Sequence, residues 1–200
     1  MAERPALVLA SASPRRRRLL DRIGLPHRVE PAGIDELPRP GERPEAFARR
    51  TAKDKARAVA GRLPGMLVLA ADTVVDLDGT ILGKPSSPEE ATTMLEALSG
   101  RSHHVHTAMA LAMGGAIETL SDTALVRFQL LGRARIDWYV GTGEPMDKAG
   151  AYAVQGIGGL FVDSVEGSPH TVVGLPIHRL EALFARLGID LWNLLAPRPL

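Results

Sequence analysis

The sequence predicts an α/β fold, and three observations predict it. Two apolar runs, residues 7–10 and 66–75, read as buried strands; a helix-opening signal follows the first; and helices intervene between the strand candidates. With 200 residues, 45% of them hydrophobic, the chain can bury a core as one domain or as two small lobes sharing a sheet. A single folding unit over residues 1–200 is expected.

The elements are justified in order. Residues 7–10 form a short buried strand, after which Ser11-Ala12-Ser13-Pro14 supplies an N-cap and a helix-opening proline for a helix over 14–23. Arg15 to Arg18 open that helix, where the dipole disfavours positive charge unless an anion sits there too. Strand, Ser-rich turn and helix N-terminus together make a natural phosphate cradle. A helical pattern begins near Glu45 and runs to Arg62, stopped by Pro64-Gly65; Lys53 and Lys55 cannot share its face, so only one of them is expected to point at a site.

Residues 66–75 are apolar apart from Asp72 and Thr73, which reads as a central strand covered on both faces. An acid inside such a strand is costly unless it has a task or a partner. Asp78-Gly79 is a hairpin signal. Residues 88–98 form a helix capped by Ser87, residues 103–112 and 117–130 form strands joined at Gly114-Gly115, and residues 133–140 form a short helix. The Gly-rich stretch 141–159 carries Glu144, Asp147, Lys148 and Gln155 and is too long to be a mere turn. A strand over 160–165 and a closing amphipathic helix over 172–187 follow, with Pro176 as an alternative start for that helix. The tail 196–200, with two prolines, is expected to fray.

Composition narrows the chemistry. With no cysteine, disulfides, thiolate nucleophiles and Cys-based metal sites are excluded. The 24 basic and 23 acidic residues give a formal charge of +1, so any anion site must be local rather than the product of a global field. Only Lys53, Lys55, Lys84 and Lys148 are lysines, which directs attention to what a compact ammonium does at each. No window approaches the ~18 apolar residues of a membrane span. At the N-terminus the basic run follows a short apolar stretch, the reverse of a secretory signal. A soluble, cytoplasmic protein is expected.

One motif points elsewhere. Val74-Val75-Asp76-Leu77-Asp78-Gly79-Thr80 matches the haloacid-dehalogenase-like phosphatase signature, which would make Asp76 a phosphoryl nucleophile. That chemistry also needs a later Gly-Asp or Asp-Asp pair to hold magnesium, and neither dipeptide occurs. An Asp-Gly hairpin tip accounts for the string.

A larger pattern spans the chain. Leu9-Ala10-Ser11-Ala12-Ser13-Pro14-Arg15-Arg16, Ala71-Asp72-Thr73-Val74-Val75, Gly83-Lys84-Pro85, Leu98-Ser99-Gly100, Met146-Asp147-Lys148-Ala149-Gly150-Ala151-Tyr152 with Gln155-Gly156, and Val173-Gly174-Leu175-Pro176 together resemble the Maf family of nucleotide pyrophosphatases. They stand in the family's order from residue 7 to about 187. The resemblance implies an elongated mixed β-sheet with flanking helices and a cleft between two lobes, like that of the inosine-triphosphate-cleaning enzymes. It also implies a divalent metal (Mg²⁺ or Mn²⁺), hydrolysis of a nucleoside triphosphate to monophosphate and pyrophosphate, and a homodimer. Ala-Asp-Thr in the central strand, with Arg15 and Gln155, resembles the branch acting on dTTP and UTP; the branch acting on 7-methyl-GTP has Ser-Asp-Gln there.

Water attack on an α-phosphorus needs a neutralised triphosphate, a bridging metal and a carboxylate that orients or deprotonates the water. Asp72 is the candidate base, and equally a metal ligand; the bland alternative is a structural acid paired with arginine. Ser11, Arg15 and Arg16 would hold phosphate oxygens, with Arg17 and Arg18 left solvated or salt-bridged. A nucleic-acid patch is disfavoured, because the arginine run has no aromatic neighbours. Lys55 and Lys84 read as point charges that help pyrophosphate leave, against an exposed helix lysine for Lys55. Glu36 resembles an early acidic position that completes the metal site, or is a solvated loop carboxylate. Thr73 and Gln155 would contact the base; Lys148 would reach phosphate or pair with Asp147. His103, His104 and His106 read as strand-surface residues. A second reading, a non-catalytic nucleotide- or nucleic-acid-binding regulator of cell division, is separated by Asp72: a pure binder has no use for a desolvated acid facing phosphates.

Overall fold

A computed structural model describes residues 7–195; the tail 196–200 lies outside the described residues, as do the first six. The elements run β1 (Leu7–Leu9), α1 (Pro14–Arg22), β2 (His27–Val29), α2 (Pro44–Arg62), β3 (Leu67–Leu77), β4 (Thr80–Leu82), α3 (Pro88–Leu98), β5 (Ser102–Met113), β6 (Ala116–Phe128), α4 (Arg133–Gly141), β7 (Val162–Glu166), α5 (Pro169–Val173) and α6 (Leu180–Ala185). No helix among them is long and apolar enough to cross a membrane.

The architecture is the expected α/β arrangement with a mixed sheet. Its strands lie in the order β2-β1-β3-β5-β6-β7, with β4 paired to β3 off that path. β1 is parallel to β2 and β3, while the pairings of β3 with β4 and β5, of β5 with β6, and of β6 with β7 are antiparallel. Because residues of a strand alternate between faces, β3 divides its side chains: Val68, Ala70 and Val74 pack under α2 with Phe47, Ala52 and Val59. Leu67, Leu69 and Ala71 face the other way, against Leu20, Leu180 and Phe184. Val75 and Leu77 continue on that second face into a cluster with Leu95, Val105 and Tyr139 at the other end of the sheet.

The site comes from an unequal pairing along β3. One edge is covered by β5 from Val68 to Asp76. On the other edge β1 ends at the Leu9–Leu69 pair, and β4 begins only at the Val75–Leu82 pair. Between them, no strand covers residues 70–74 on that edge. A gap in the middle of a sheet leaves backbone polar groups needing partners, and Asp72 and Thr73 lie in this one. The two short strands are thus the rims of an opening in which both faces of β3 can be reached.

Several boundaries differ from expectation for local reasons. The closing helix predicted over 172–187 is broken. Ser168 caps α5, its Oγ accepting from His170 N, Pro169 occupies the first turn, and Gly174 ends the helix at φ 108°. A 3₁₀ turn, Ile177–Arg179, and α6 follow, so the chain turns at Gly174 instead of running through it. β6 stops at Phe128, short of the predicted 130. The stretch 141–159 folds as successive 3₁₀ turns, Glu144–Asp147, Ala149–Ala151 and Ile157–Phe161. The three residues of β2 carry no alternation pattern of their own and were not predicted. Asp78 and Gly79 take φ 52° and 85°, the left-handed pair of a tight hairpin, with Asp76 Oδ1 accepting from Gly79 N at 2.7 Å. The Asp-x-Asp-Gly-Thr string is therefore a turn.

Candidate active site

A cleft of about 960 Å³ opens at the gap beside β3, large enough for a small-molecule substrate. Its lining includes Ser11, Arg15, Arg16, Glu36, Lys55, Asp72, Thr73, Lys84, Lys148 and Gln155, so the residues proposed from the sequence for catalysis, substrate binding and metal converge on one cavity.

On the α2 side stands Lys55, buried to 7% exposure. A buried ammonium must be paired, and this one lies 2.8 Å from Asp72 Oδ1 and 2.8 Å from Glu36 Oε2. Helical periodicity turns Lys53, two positions earlier, to solvent. Burial raises the Asp72 pKa above the ordinary carboxylate range, with the charge of Glu36 adding to it; Lys55 and Arg16 act against the rise. A buried acid with a raised pKa and a specific cationic partner in a cleft marks Asp72 as a functional-site candidate. Asp72 Oδ2 and Glu36 Oε1 make no hydrogen bond among the described residues, and no group of three or more His, Cys, Asp or Glu forms a metal cluster there.

Across β3, Thr73 points to the opposite face and meets Arg16. The Arg16 guanidinium donates three ways: Nε to the Gly174 carbonyl at 2.8 Å, Nη1 to Ser11 Oγ at 3.0 Å and Nη2 to Thr73 Oγ1 at 3.1 Å. Five donors in a rigid fork minus these three leaves one N–H on each terminal nitrogen. Ser11 Oγ also accepts from Ser13 N at 3.2 Å, closing the turn that leads into α1. Ser13 caps that helix through Arg16 N. Burial lowers the Arg16 pKa, offset by the negative charges of Asp72 and Glu36. A fixed guanidinium at a helix N-terminus with no acidic residue in its first turn suits an anion. Gly174 is needed here: a Cβ on it would sit 2.9 Å from Thr73 Oγ1.

The third wall is the Gly-rich segment. Gly150, at φ 68°, donates to the Gly83 carbonyl at 3.0 Å and packs so closely on Val75 that a Cβ would lie 2.9 Å from its Cγ2. That contact seats the segment beside Lys84, which is exposed and makes no hydrogen bond or ion pair among the described residues. Lys148 Nζ donates to the Glu144 carbonyl at 2.8 Å and to Asp147, the local pairing that was one of its two readings. Asp147 also faces Arg15 at 3.8 Å, tying the segment to the start of α1. Gln155 is exposed.

Sequence reasoning missed what holds this wall. Glu144 Oε1 accepts from Tyr139 Oη at 2.9 Å and Gly158 N at 3.0 Å, and Oε2 accepts from Ile157 N at 3.1 Å. Burial opposes the Glu144 charge, but the amides of Gly158 and Ile157, the Tyr139 phenol and Lys148 outweigh it and hold the pKa below the ordinary value. Gly156 passes so near that a Cβ would be 2.4 Å from Oε2. A carboxylate amid the six glycines of residues 141–159 was the available signal. Glu144→Ala strands two amides and a phenol, and we expect a loss of about 2–4 kcal/mol, measured by urea unfolding. The sign follows from the depressed pKa: the contribution is complete above the unfolded value of about 4.3 and is lost as pH falls through the lower folded value.

The histidines correct the expectation. His103 is buried at 1% exposure, edge-on to Phe128 and Tyr152, with Nε2 2.9 Å from Tyr152 Oη. Desolvation pushes its pKa down to about 4, so it is neutral. Adjacent residues do face opposite sides of β5, and only the His103 side is covered, by Phe128 and Tyr152. His106 does have a carboxylate companion, Asp76 Oδ2 at 3.1 Å, while His104 is exposed. None of the three lines the cleft. Thr73 too differs from its expected role, because its hydroxyl is already engaged with Arg16 and Thr107.

The Maf-like protein family model matches residues 6–187. A dTTP/UTP pyrophosphatase of Anaeromyxobacter dehalogenans strain 2CP-1 is 53% identical over 192 residues, 94% of this chain and 96% of that one. One from Myxococcus xanthus is 52% identical over 190 residues, 95% of this chain and 96% of that one. The structure of the Staphylococcus aureus Ham1 protein gives a TM-score of 0.44 at 17% identity, over 62% of this chain and 71% of that one.

Proposed function

The chain belongs to the Maf family, and from that premise we propose that it hydrolyses dTTP and UTP to the monophosphate and pyrophosphate. The observation that carries the reading is the Lys55 ammonium held at 2.8 Å by both Asp72 and Glu36, in the cleft that also contains Arg15, Arg16 and Lys84.

The residues divide the work. Asp72 takes the proton of a water whose oxygen bonds to the α-phosphorus; the bond from that phosphorus to the bridging oxygen breaks, and its electron pair leaves with pyrophosphate. Burial makes Asp72 a stronger base than an exposed aspartate, and Lys55 beside it favours the ionised form. The two unused Arg16 N–H groups, Arg15 and the Ser11 hydroxyl bind phosphate oxygens. Lys84 and Lys55 offset the charge that builds on the leaving group. Gln155, whose amide both donates and accepts, reads the pyrimidine edge. Thr73 serves through Arg16.

The donor set fits a small hard cation. Two carboxylates meeting on one ammonium, each with an oxygen free of protein hydrogen bonds, leave the other positions to water and phosphate, the pattern of Mg²⁺ or Mn²⁺. Asp72 and Glu36 would hold it, and it would supply neutralisation of the triphosphate. Glu36→Gln is expected to raise the Mg²⁺ concentration for half-maximal activity by about tenfold or more, read from a metal titration after chelation.

The test of the reading is pyrophosphate release from a panel of nucleoside triphosphates with Mg²⁺ or Mn²⁺. Turnover of dTTP and UTP above purine nucleotides is the expected result. Binding without any turnover would replace the enzyme by a nucleotide-binding regulator.

A further inference from the structure

We propose that Thr107, a residue outside the cleft, is a positioning residue that locks Arg16 in its phosphate-binding orientation. Thr107 lies on β5 directly opposite Thr73 and is fully buried. Its hydroxyl donates to the Thr171 carbonyl in α5 at 2.7 Å, and its oxygen is 2.9 Å from Thr73 Oγ1.

A hydroxyl has one proton, so its direction is decided by its strongest obligation. The buried Thr171 carbonyl takes the Thr107 proton. Thr107 is then the acceptor in its contact with Thr73, and Thr73 must donate to it. With its own proton committed inward, Thr73 presents only lone pairs to Arg16, which needs an acceptor at Nη2. The chain of bonds runs one way, from Arg16 through Thr73 and Thr107 to Thr171. The same short helix that receives it at Thr171 is followed by Gly174, whose carbonyl takes Arg16 Nε. The helix is also pinned by the Thr171 hydroxyl, which donates to Asp122. The guanidinium plane is thus set by a closed loop of contacts, and rotation about the Arg16 side chain would break two bonds together. Ser11, on the remaining nitrogen, cannot fix that plane alone.

The lock rests on the pyrophosphatase reading only for the task assigned to Arg16, and the experiment separates the two. Thr107→Val keeps shape and removes the hydroxyl; Thr107→Ser keeps the hydroxyl. In Thr107→Val the KM for dTTP should rise about tenfold, the scale of one lost hydrogen bond, with a smaller change in kcat. Solvent exchange of the Arg16 Nε–H, followed by NMR in nucleotide-free protein, should quicken. Thr107→Ser should restore both. Thr73→Val cuts the chain from the other side and should quicken exchange equally, and Thr73→Val with Thr107→Val should be no worse than Thr73→Val alone. Wild-type exchange and KM in Thr107→Val would overturn the lock while leaving the enzyme reading intact, as would equal impairment in Thr107→Ser, which would make volume the cause. Faster exchange in a protein that turns over no nucleotide would leave the lock standing and overturn the pyrophosphatase reading.

Discussion

Asp72→Asn should lower kcat for dTTP by about 10³-fold, within the range ascribed to a positioned general base, without unfolding the protein. An asparagine oxygen can still accept from Lys55 Nζ, so the 2.8 Å contact can persist while the proton acceptor is gone. Stability responds in the opposite sense to activity. Because burial raises the folded pKa of Asp72, the ionised carboxylate costs stability at every pH above that value. This cost falls as pH drops through the raised pKa and is gone below the unfolded value of about 3.9. In metal-free protein Asp72→Asn should therefore melt no lower than wild type at neutral pH, and any advantage should vanish on acidification. A variant that loses activity only in proportion to lost folded protein would make Asp72 structural.

Arg16→Lys should damage both folding and catalysis. The guanidinium serves Gly174 O, Ser11 Oγ and Thr73 Oγ1 at 2.8–3.1 Å in three directions, and an ammonium on a flexible stem cannot reproduce that planar fork. Leaving two of these acceptors without donors should cost about 2–4 kcal/mol, seen as a lower urea midpoint. The kcat/KM should fall by about 10²–10³-fold, as for loss of one preorganised donor to a developing oxyanion, with most of the loss in KM if the arginine binds ground state and transition state alike. Retention of kcat/KM within a few-fold would show that charge alone suffices. Arg17→Ala, by contrast, removes an exposed side chain 3.8 Å from Asp21 and should change neither quantity.

What was legible in the sequence was chemistry with a local cause. Asp72 stood out because an acid in an apolar strand needs a reason; Ser13-Pro14 marked a helix start whose arginines needed an anion; periodicity allowed only one of Lys53 and Lys55 to face the site. The gap beside β3 was not legible, since it exists only because β1 and β4 share one edge without meeting, which depends on pairing. Nor were the partners of Arg16, since Gly174 is 158 residues away along the chain. The broken closing helix could have been read from Ser168-Pro169 and Gly174, but the amphipathic pattern over 172–187 outweighed these local breaks. His103 misled because alternation fixes which side a residue faces and says nothing of whether that side is covered.

The most direct test of the account is hydrolysis of dTTP in ¹⁸O-labelled water, with the products separated and weighed. Attack at the α-phosphorus puts one labelled oxygen in the nucleoside monophosphate and none in the pyrophosphate, and that is the predicted result. Label in pyrophosphate or in orthophosphate would place the attack on another phosphorus and contradict the assignment of Asp72 and its cleft.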